Sequence, residues 1–466
     1  MRESGRRFET GALEAYLREH EARHLAELFE FLSIPSVSTL PEHRADVRRA
    51  AEWLAGYLER IGFDNVSVFP TELHPIVYAE RIEHPGAPTA LIYGHYDVQP
   101  VDPVHRWTTP PFEPAVRDGK IWARGASDDK GQVFAHLLAL RALIEVEGRL
   151  PFNVKLLIEG EEEVTSVSLP KFLEENKDLI RADLVVISDT TMVAEGVPTI
   201  CCGLRGLVDL EVSVYGAKRD LHSGLYGGMV ANPIHVLVQL LASLRQGQGR
   251  ILVPGFYDGV AELSERERRE IAALPFDESA VARELGVAAF DGEPGYTPHE
   301  RATVRPTVEV NGIWGGFQGE GSKTVIPSEA HAKITCRLVP DQDPVRVQEA
   351  VAAHFIKNCP PSATVKVRKG AVARPWRCDP DSPAIRAAVR ALEEAYGRPV
   401  AKARLGGSIP VVETLDRMLA VPCVLIAFAQ PGCNAHAPDE NIPLSTLQTA
   451  PAALVRFWRN LAEADL

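Results

Sequence analysis

The stretch IEGEEEV, Ile158 to Val164, places Glu159, Glu161, Glu162 and Glu163 at the end of PFNVKLL, an apolar run that reads as a buried strand. Like charges crowded in a partly dry place repel, and one carboxyl usually neutralises through a raised pKa; a solvated loop would avoid the problem, and so would a cation. Four further polar constellations stand out, and most of the five follow an apolar run that reads as a strand. His95 and Asp97 lie in GHYDVQP after LIY. Two residues apart on extended backbone, they point to one side, and a metal-bound histidine usually gives its other N–H to a carboxylate. Asp128 and Asp129 lie in ARGASDDKGQ before a helix. Capping a helix N-terminus accounts for one aspartate but not for two. Asp189 closes the strand VVISDT, and His436 follows CVLIAFAQPG in CNAHAPDE. Taken singly, each of these has an ordinary reading as a satisfied histidine or a turn cap.

Together they suggest a metal centre. Nitrogen and oxygen donors without cysteine suit Zn, Mn or Co rather than an iron–sulfur cluster. If His95, Asp128, Glu163, Asp189 and His436 are ligands, the three carboxylates are nearly balanced by two divalent ions. The acidic cluster is then tolerable, and one glutamate remains free to act as a base on activated water.

The elements that must position these residues follow from hydrophobic periodicity. Residues Leu13–Leu32 and Val47–Ile61 carry a helical pattern. PIVYAERI and TALIYG read as strands, and EPAVRDGKIWARG as a hairpin turning at Asp118-Gly119. A helix over about Gly131–Val146, strand FNVKLLI, helix LPKFLEENKDLI and strand ADLVVIS continue the alternation. Strands alternating with helices predict an α/β domain with a mostly parallel sheet covered by helices on both faces. In such sheets ligands bind at the carboxyl ends of the strands.

Near Gly206 the pattern changes. Strand LVDLEVSVYG, helix NPIHVLVQLLASL, a polar stretch from Ser264 to Pro306 with a weak helix and loops, strands TVEVNGIW and AHAKITCRLV, helix VRVQEAVAAHFIKN and strand ATVKVRK follow. The order is βαββαβ, a split unit with two helices on one face of an antiparallel sheet. Helix AIRAAVRALEEAYG, strand CVLIAFA and helix LQTAPAALVRFWRNLA then return to the first pattern. The expected organisation is a catalytic domain in two parts, 1–206 and 379–466, with an inserted domain over 207–378.

The 466-residue length is too great for one ordinary core. A net charge of −13 argues against a nucleic-acid partner. No apolar stretch approaches the roughly 20 residues that span a bilayer, and MRESGRRFETG has no apolar signal core. Seven cysteines without CxxC point to thiols in a reducing, cytoplasmic setting rather than a disulfide framework.

The segments GHYDVQP, RGASDDKGQ, EGEEE, ISDT, DLHSG, KTVIP, CRLVP, GGSIPV and AHAPDE, in this order, resemble the dinuclear zinc exopeptidases that include carnosinase, cytosolic nonspecific dipeptidase, aminoacylase and succinyl-diaminopimelate desuccinylase. The likeness is greatest to the carnosinase and nonspecific dipeptidase branch. The resemblance implies that Asp128 bridges two ions, with His95 and Asp189 on one and Glu163 and His436 on the other. It lays Glu162 on the general base and Asp97 on the residue that orients His95. It implies a cis peptide bond between Asp128 and Asp129. It places His222 in the partner subunit's site as an oxyanion donor, Arg337 on a substrate carboxylate, and Thr324 and Ser408 on minor substrate contacts. The inserted domain corresponds to the family's lid and dimerisation domain. Where the family often continues with a small-residue run such as SGS, this chain has EEVTSVS.

The expected function is therefore hydrolysis of short peptides, dipeptides foremost, by a homodimeric metallopeptidase with two divalent ions per subunit, Zn or Mn, with Co as a third option. An amidase or deacylase of N-acyl amino acids would use the same centre. A metal-poor homologue that only binds peptides is the alternative outside catalysis; the full ligand set argues against it, and elemental analysis discriminates the two.

Overall fold

The computed structural model describes residues 10–246 and 249–464; segment 1–9, where most of the stretch without a signal core falls, lies outside the described residues. The chain divides into two compact units. One comprises residues up to Cys202, Cys378–Ala403 and Thr414 onward; the other comprises Gly203–Arg377 and Arg404–Glu413.

The first unit is built on a mixed sheet. Its strands run in the order Asp64–Phe69, Ile76–Arg81, Asn153–Glu159, Thr89–His95, Leu184–Ile187, Cys423–Ala427 and Thr199–Leu204. The four central strands, from Asn153–Glu159 to Cys423–Ala427, are mutually parallel. The flanking pairings are antiparallel, so parallel order is confined to the middle of the sheet. Those central strands are buried on both faces, which is why they read as continuous apolar runs. Val154, Leu156 and Ile158 join the core beneath helix Lys130–Glu147 and its neighbours Thr446–Ala462 and Pro383–Tyr396. Lys155 points the other way, and its Nζ donates to the carbonyls of Leu179 and Arg181, beyond helix Leu169–Glu175. Helices thus cover both faces. Helix Lys130–Glu147 is buried almost all round through Leu143 and ends at Gly148, whose φ of 73° makes the left-handed cap.

The predicted hairpin is present, with Ala115–Arg117 paired to Lys120–Trp122 and Asp118 and Gly119 both at positive φ. A third strand, Asn441–Pro443, pairs with Lys120–Trp122. The helical pattern over Leu13–Leu32 is interrupted at His20, which separates Thr10–Glu19 from Glu21–Leu32.

The second unit holds a four-stranded antiparallel sheet in the order Thr307–Gly315, Glu329–Leu338, Gly206–Tyr215, Thr364–Ala373. Along Gly206–Tyr215 buried and half-buried residues alternate strictly. Val208, Leu210, Val212 and Val214 meet Leu237 and Leu240 of helix Pro233–Ala242, and Val351 and Phe355 of helix Pro344–Asn358, in one core. Both helices therefore lie on one face, as the βαββαβ order predicts. The polar stretch Ser264–Pro306 is more ordered than its composition suggests: it holds helices Glu265–Ala272, Glu278–Leu285 and Pro298–Thr303. Two of them begin with capping boxes, Ser264 with Glu267 and Thr297 with Glu300.

Leu237 is fully buried against this sheet. Leu237→Ala should lower the unfolding free energy of the second unit by about 2–5 kcal/mol, read from the denaturant midpoint of that unit's transition. A change of a few tenths would contradict the packing described.

Candidate metal centre

Each candidate donor stands at or near the boundary of an element of the first unit. His95 is the last residue of Thr89–His95, Asp189 follows Leu184–Ile187 by two residues, and Asp128 lies two residues before helix Lys130–Glu147. Glu163 belongs to the short turn Glu162–Val164 that follows Asn153–Glu159. His436 is in the loop after Cys423–Ala427. The structure brings all five together. His95, Asp128 and Asp189 form one group and Asp128, Glu163 and His436 another, with the donor atoms of each group within 4.8 Å of one another. Asp128 belongs to both. Its Oδ1 is 3.1 Å from His95 Nε2, and its Oδ2 is 2.8 Å from His436 Nε2. Asp189 Oδ1 is 3.9 Å from His95 Nε2, and Glu163 Oε2 is 3.4 Å from His436 Nε2. The Asp128–Asp129 peptide bond is cis.

Close packing explains the glycines here. A Cβ on Gly131 would strike the Ala126 carbonyl, and one on Gly160 would strike the Tyr96 hydroxyl.

Asp97 is fully buried and works in two directions. Its Oδ1 lies 3.4 Å from His95 Nδ1, and its backbone carbonyl lies 3.1 Å from the same nitrogen. A proton held at Nδ1 leaves the Nε2 lone pair aimed into the cluster. The Asp97 carboxylate also accepts the backbone N–H groups of Glu162 and Glu163, at 3.3 and 3.1 Å. One side chain thereby fixes the histidine and the glutamate turn together.

The four glutamates of IEGEEEV have different surroundings. Glu159 accepts hydrogen bonds from Tyr93 and Ser166, at 2.5 and 2.8 Å, and burial pushes its carboxyl up to about 8. Glu161 is saturated by Thr71 Oγ1, His74 N and Ser168 N, at 2.6–2.8 Å. Glu163 accepts from Gln99 Nε2 at 2.6 Å through one oxygen, while its Oε1 is buried without a partner. Glu162 has no hydrogen-bonding side chain among the described residues. Burial first, and then repulsion from Asp189, Glu163 and Asp97 against the pull of His95, holds its carboxyl well above the usual range. In the EEVTSVS loop, Thr165 and Ser166 take φ of 73° and 50°, and Ser166 N donates to the Glu161 carbonyl at 2.7 Å.

Burial likewise raises Glu163 and Asp189. It opposes the charge on His95, but Asp128, Asp189 and Asp97 outweigh it and hold that imidazole well above its ordinary value. His436 is raised to about 10, chiefly by Asp128 and Glu163. His95 Nε2 is nevertheless buried with no aligned hydrogen-bond partner. Unpartnered nitrogen and oxygen lone pairs in two donor groups that share Asp128 fit a pair of divalent cations.

Asp128 is anchored by a residue that local sequence does not single out. Glu440 is fully buried and accepts from Arg124 Nη1 at 2.7 Å, and from the backbone N–H groups of Gly125, Ser127 and Asp128 at 2.9, 2.8 and 3.0 Å. Strand pairing of Asn441 with Trp122 brings Glu440 to this loop. Its signal was present in AHAPDE, but an acidic residue four positions from His436 reads equally as solvated surface. Gln132 is a second such residue: it donates to the Ser127 carbonyl at 2.8 Å and accepts from Phe428 N and Ala429 N at 3.0 and 3.2 Å.

The remaining predicted site residues lie in the second unit. His222 is exposed, pairs with Val325 and accepts from Gly224 N at 3.0 Å. The Thr324 carbonyl accepts from Ser223 N at 3.0 Å, so Thr324 is beside it. Arg337 Nη1 donates to Ser408 Oγ at 2.8 Å. These residues form two local pairs within that unit.

Residues 91–460 match the profile of peptidase family M20/M25/M40. The chain is 32% identical over 448 residues to the Beta-Ala-His dipeptidase of Homo sapiens, an alignment covering 92% of this chain and 88% of that one. It is 30% identical over 450 residues to a Cys-Gly metallodipeptidase of Candida albicans, covering 92% of each chain. Among solved structures, a metallo-carboxypeptidase from Sulfolobus solfataricus aligns with a TM-score of 0.84 at 33% identity, covering 94% of this chain and 99% of that one.

Removing Glu440 would leave Arg124 as an unpaired buried charge. Glu440→Ala should cost on the order of 3–5 kcal/mol in the unfolding free energy of metal-free protein. A cost under about 1 kcal/mol, the range of exposed pairs, would contradict its role as the anchor of the loop.

Proposed function

Because the chain belongs to peptidase family M20/M25/M40, we propose that its acidic cluster is a two-metal centre that hydrolyses the peptide bond of short peptides, dipeptides foremost. The observation that carries this reading is the pair of donor groups sharing Asp128. His95 and Asp189 would hold one ion, Glu163 and His436 the other, and Asp128 both. The donor set suits Zn or Mn, with Co as a further option. When bound, such ions polarise a scissile carbonyl and acidify water.

Glu162 is the proton carrier. Its carboxylate is close to the cluster yet committed to no side-chain hydrogen bond, so it is free to accept a proton from the attacking water and return it to the leaving amine. Glu159 and Glu161 are unsuited to that work, because their oxygens are occupied by donors. Asp97 keeps His95 oriented and holds Glu162 in register with it. Arg337 provides a guanidinium fork for a substrate carboxylate, with Ser408 and Thr324 as accessory contacts.

The active unit is proposed to be a homodimer in which the second unit serves as lid and dimerisation domain. The partner subunit's His222 would then donate a hydrogen bond to the developing oxyanion. Exposure of His222 supports this, since the side chain is not committed to its own core. A cytoplasmic setting is proposed from the cysteine usage. No described helix is long and apolar enough to cross a membrane.

A second reading concerns substrate length. The Sulfolobus solfataricus relative is a metallo-carboxypeptidase, and removal of a C-terminal residue from longer peptides would use the same carboxylate contact. A panel of dipeptides, tripeptides and N-acyl amino acids, assayed with Zn, Mn and Co, separates these readings from an amidase or deacylase.

Glu162→Gln should retain metal, as counted by elemental analysis, yet lose about 10²–10⁴-fold in kcat. Glu163→Gln should instead lose metal. The reverse pattern would exchange the two roles. For the dimer, a Glu162→Gln subunit and a His222→Ala subunit, each nearly inactive, should regain activity when refolded together, because one composite site then has both groups intact. No recovery in a verified heterodimer would remove His222 from the partner's site.

A further inference from the structure

Two guanidinium groups lie together where strand Gly206–Tyr215 of the second unit begins. Leu207 pairs with Arg337 across the ladder, and Arg205 lies two residues before Leu207. Arg205 immediately precedes strand Gly206–Tyr215, with its guanidinium close enough to Arg337 for the two charges to repel. Arg337 is on the face opposite Val208, Leu210, Val212 and Val214, which the helices cover.

A short strap fastens the pair. Arg205 N donates to the Gly407 carbonyl at 3.0 Å, and Arg205 Nε donates to the Gly406 carbonyl at 2.9 Å. Ser408 Oγ donates to the Arg205 carbonyl at 2.5 Å and accepts from Arg337 Nη1 at 2.8 Å. The hydroxyl of Ser408 therefore spans the two arginines. Arg205 Nη1 is buried without a hydrogen-bond partner. Among the described residues, neither guanidinium has a carboxylate within 4.0 Å.

A structural arginine normally spends its N–H groups on carbonyls or on a paired acid. Arg205 leaves a buried donor unspent beside a second positive charge. Burial and Arg337 together push it down to about 10, with Glu309 opposing. Arg337 is lowered by burial. Two like charges held together in a partly dry place are stabilised by an anion, and a planar carboxylate matches the guanidinium fork.

We propose that Arg205 is the second guanidinium of a carboxylate receptor built with Arg337 and Ser408, and that this receptor selects peptides by their free C-terminal carboxylate. The proposal rests on the peptidase reading above and extends it to a residue outside the chemistry. Arg205 is a specificity residue: its contact is with the substrate's terminus, and its loss should raise KM more than it lowers kcat.

The test compares Gly-Leu with its C-terminal amide on the metal-loaded wild type, Arg205→Gln and Arg205→Lys. Arg205→Gln should lose about 10–100-fold in kcat/KM on the free acid, the weight of one charge-assisted hydrogen bond. The amide should change by less than about threefold, because it presents no charge for the lost guanidinium to meet. Arg205→Lys, which keeps the charge without the fork, should fall between. Equal losses on acid and amide would make Arg205 a structural residue and overturn the proposal, as would no loss on either. Calorimetry with L-leucine and L-leucinamide supplies a readout apart from turnover. Wild type should bind the acid in preference, and Arg205→Gln should lose that preference. Binding of L-leucine through Arg205 by a protein that cleaves no peptide would sink the peptidase reading and keep the receptor. Cleavage of acid and amide alike by wild type would do the opposite.

Discussion

Mutual repulsion among buried carboxylates is the constraint around which the first unit is organised. Asp189, Glu162 and Glu163 are each raised by burial and by neighbouring acids. The fold relieves the surrounding acids by other means. Glu159 is pushed up to about 8 beneath Tyr93 and Ser166, Glu161 is saturated with donors, and Glu440 faces Arg124. Among the described residues, no lysine or arginine makes an ion pair with Asp128, Glu163 or Asp189; only the two imidazoles do. The cluster's unmet demand is for positive charge that accepts lone pairs, and a divalent cation meets it as a proton does only in part.

The scaffold serves that cluster through its connections rather than its strands. The central parallel strands deliver His95, Glu159 and Asp189 to the carboxyl end of the sheet. What keeps the donors in register is a set of single side chains that each tie two segments. Asp97 ties the histidine to the glutamate turn. Glu440 ties the Asp128 loop to a strand contributed from the far end of the chain. Gln132 joins the same loop to Phe428 and Ala429. Such ties fix the orientation of the donors, and where donors hold a metal, loss of an outer partner of this type commonly costs about 10–100-fold in metal affinity.

The sequence exposed what depends on residue type at strand ends. The convergence of His95, Glu163, Asp189 and His436 was legible because histidine or carboxylate after an apolar run is uncommon, that of Asp128 because two adjacent aspartates exceed what one helix cap needs, and that of all five because their segments keep the order of a known family. The alternation of LVDLEVSVYG and the βαββαβ order were legible from periodicity. Long-range ties were not. Glu440 and Arg124 are more than three hundred residues apart, and nothing local marks either as buried. Arg205 lies between two strands and gains meaning only once register places it beside Arg337. The segment Arg404–Glu413 groups with the second unit although its flanks group with the first, and composition gives no sign of that. The helices within Ser264–Pro306 are a different kind of omission. Their capping boxes, SERE and TPHE, were readable, but a strongly polar composition masked them.

The central claim is that the carboxylate cluster is a two-metal hydrolytic site, and a metal titration tests it most directly. Protein stripped by a chelator is titrated with Zn or Mn while calorimetry and dipeptide hydrolysis are followed in parallel. Two ions should bind per chain, with hydrolysis rising as both sites fill, and both should be lost in Asp128→Ala. Full hydrolysis in the stripped protein, or binding of metal that leaves Asp128→Ala unaffected, would contradict it.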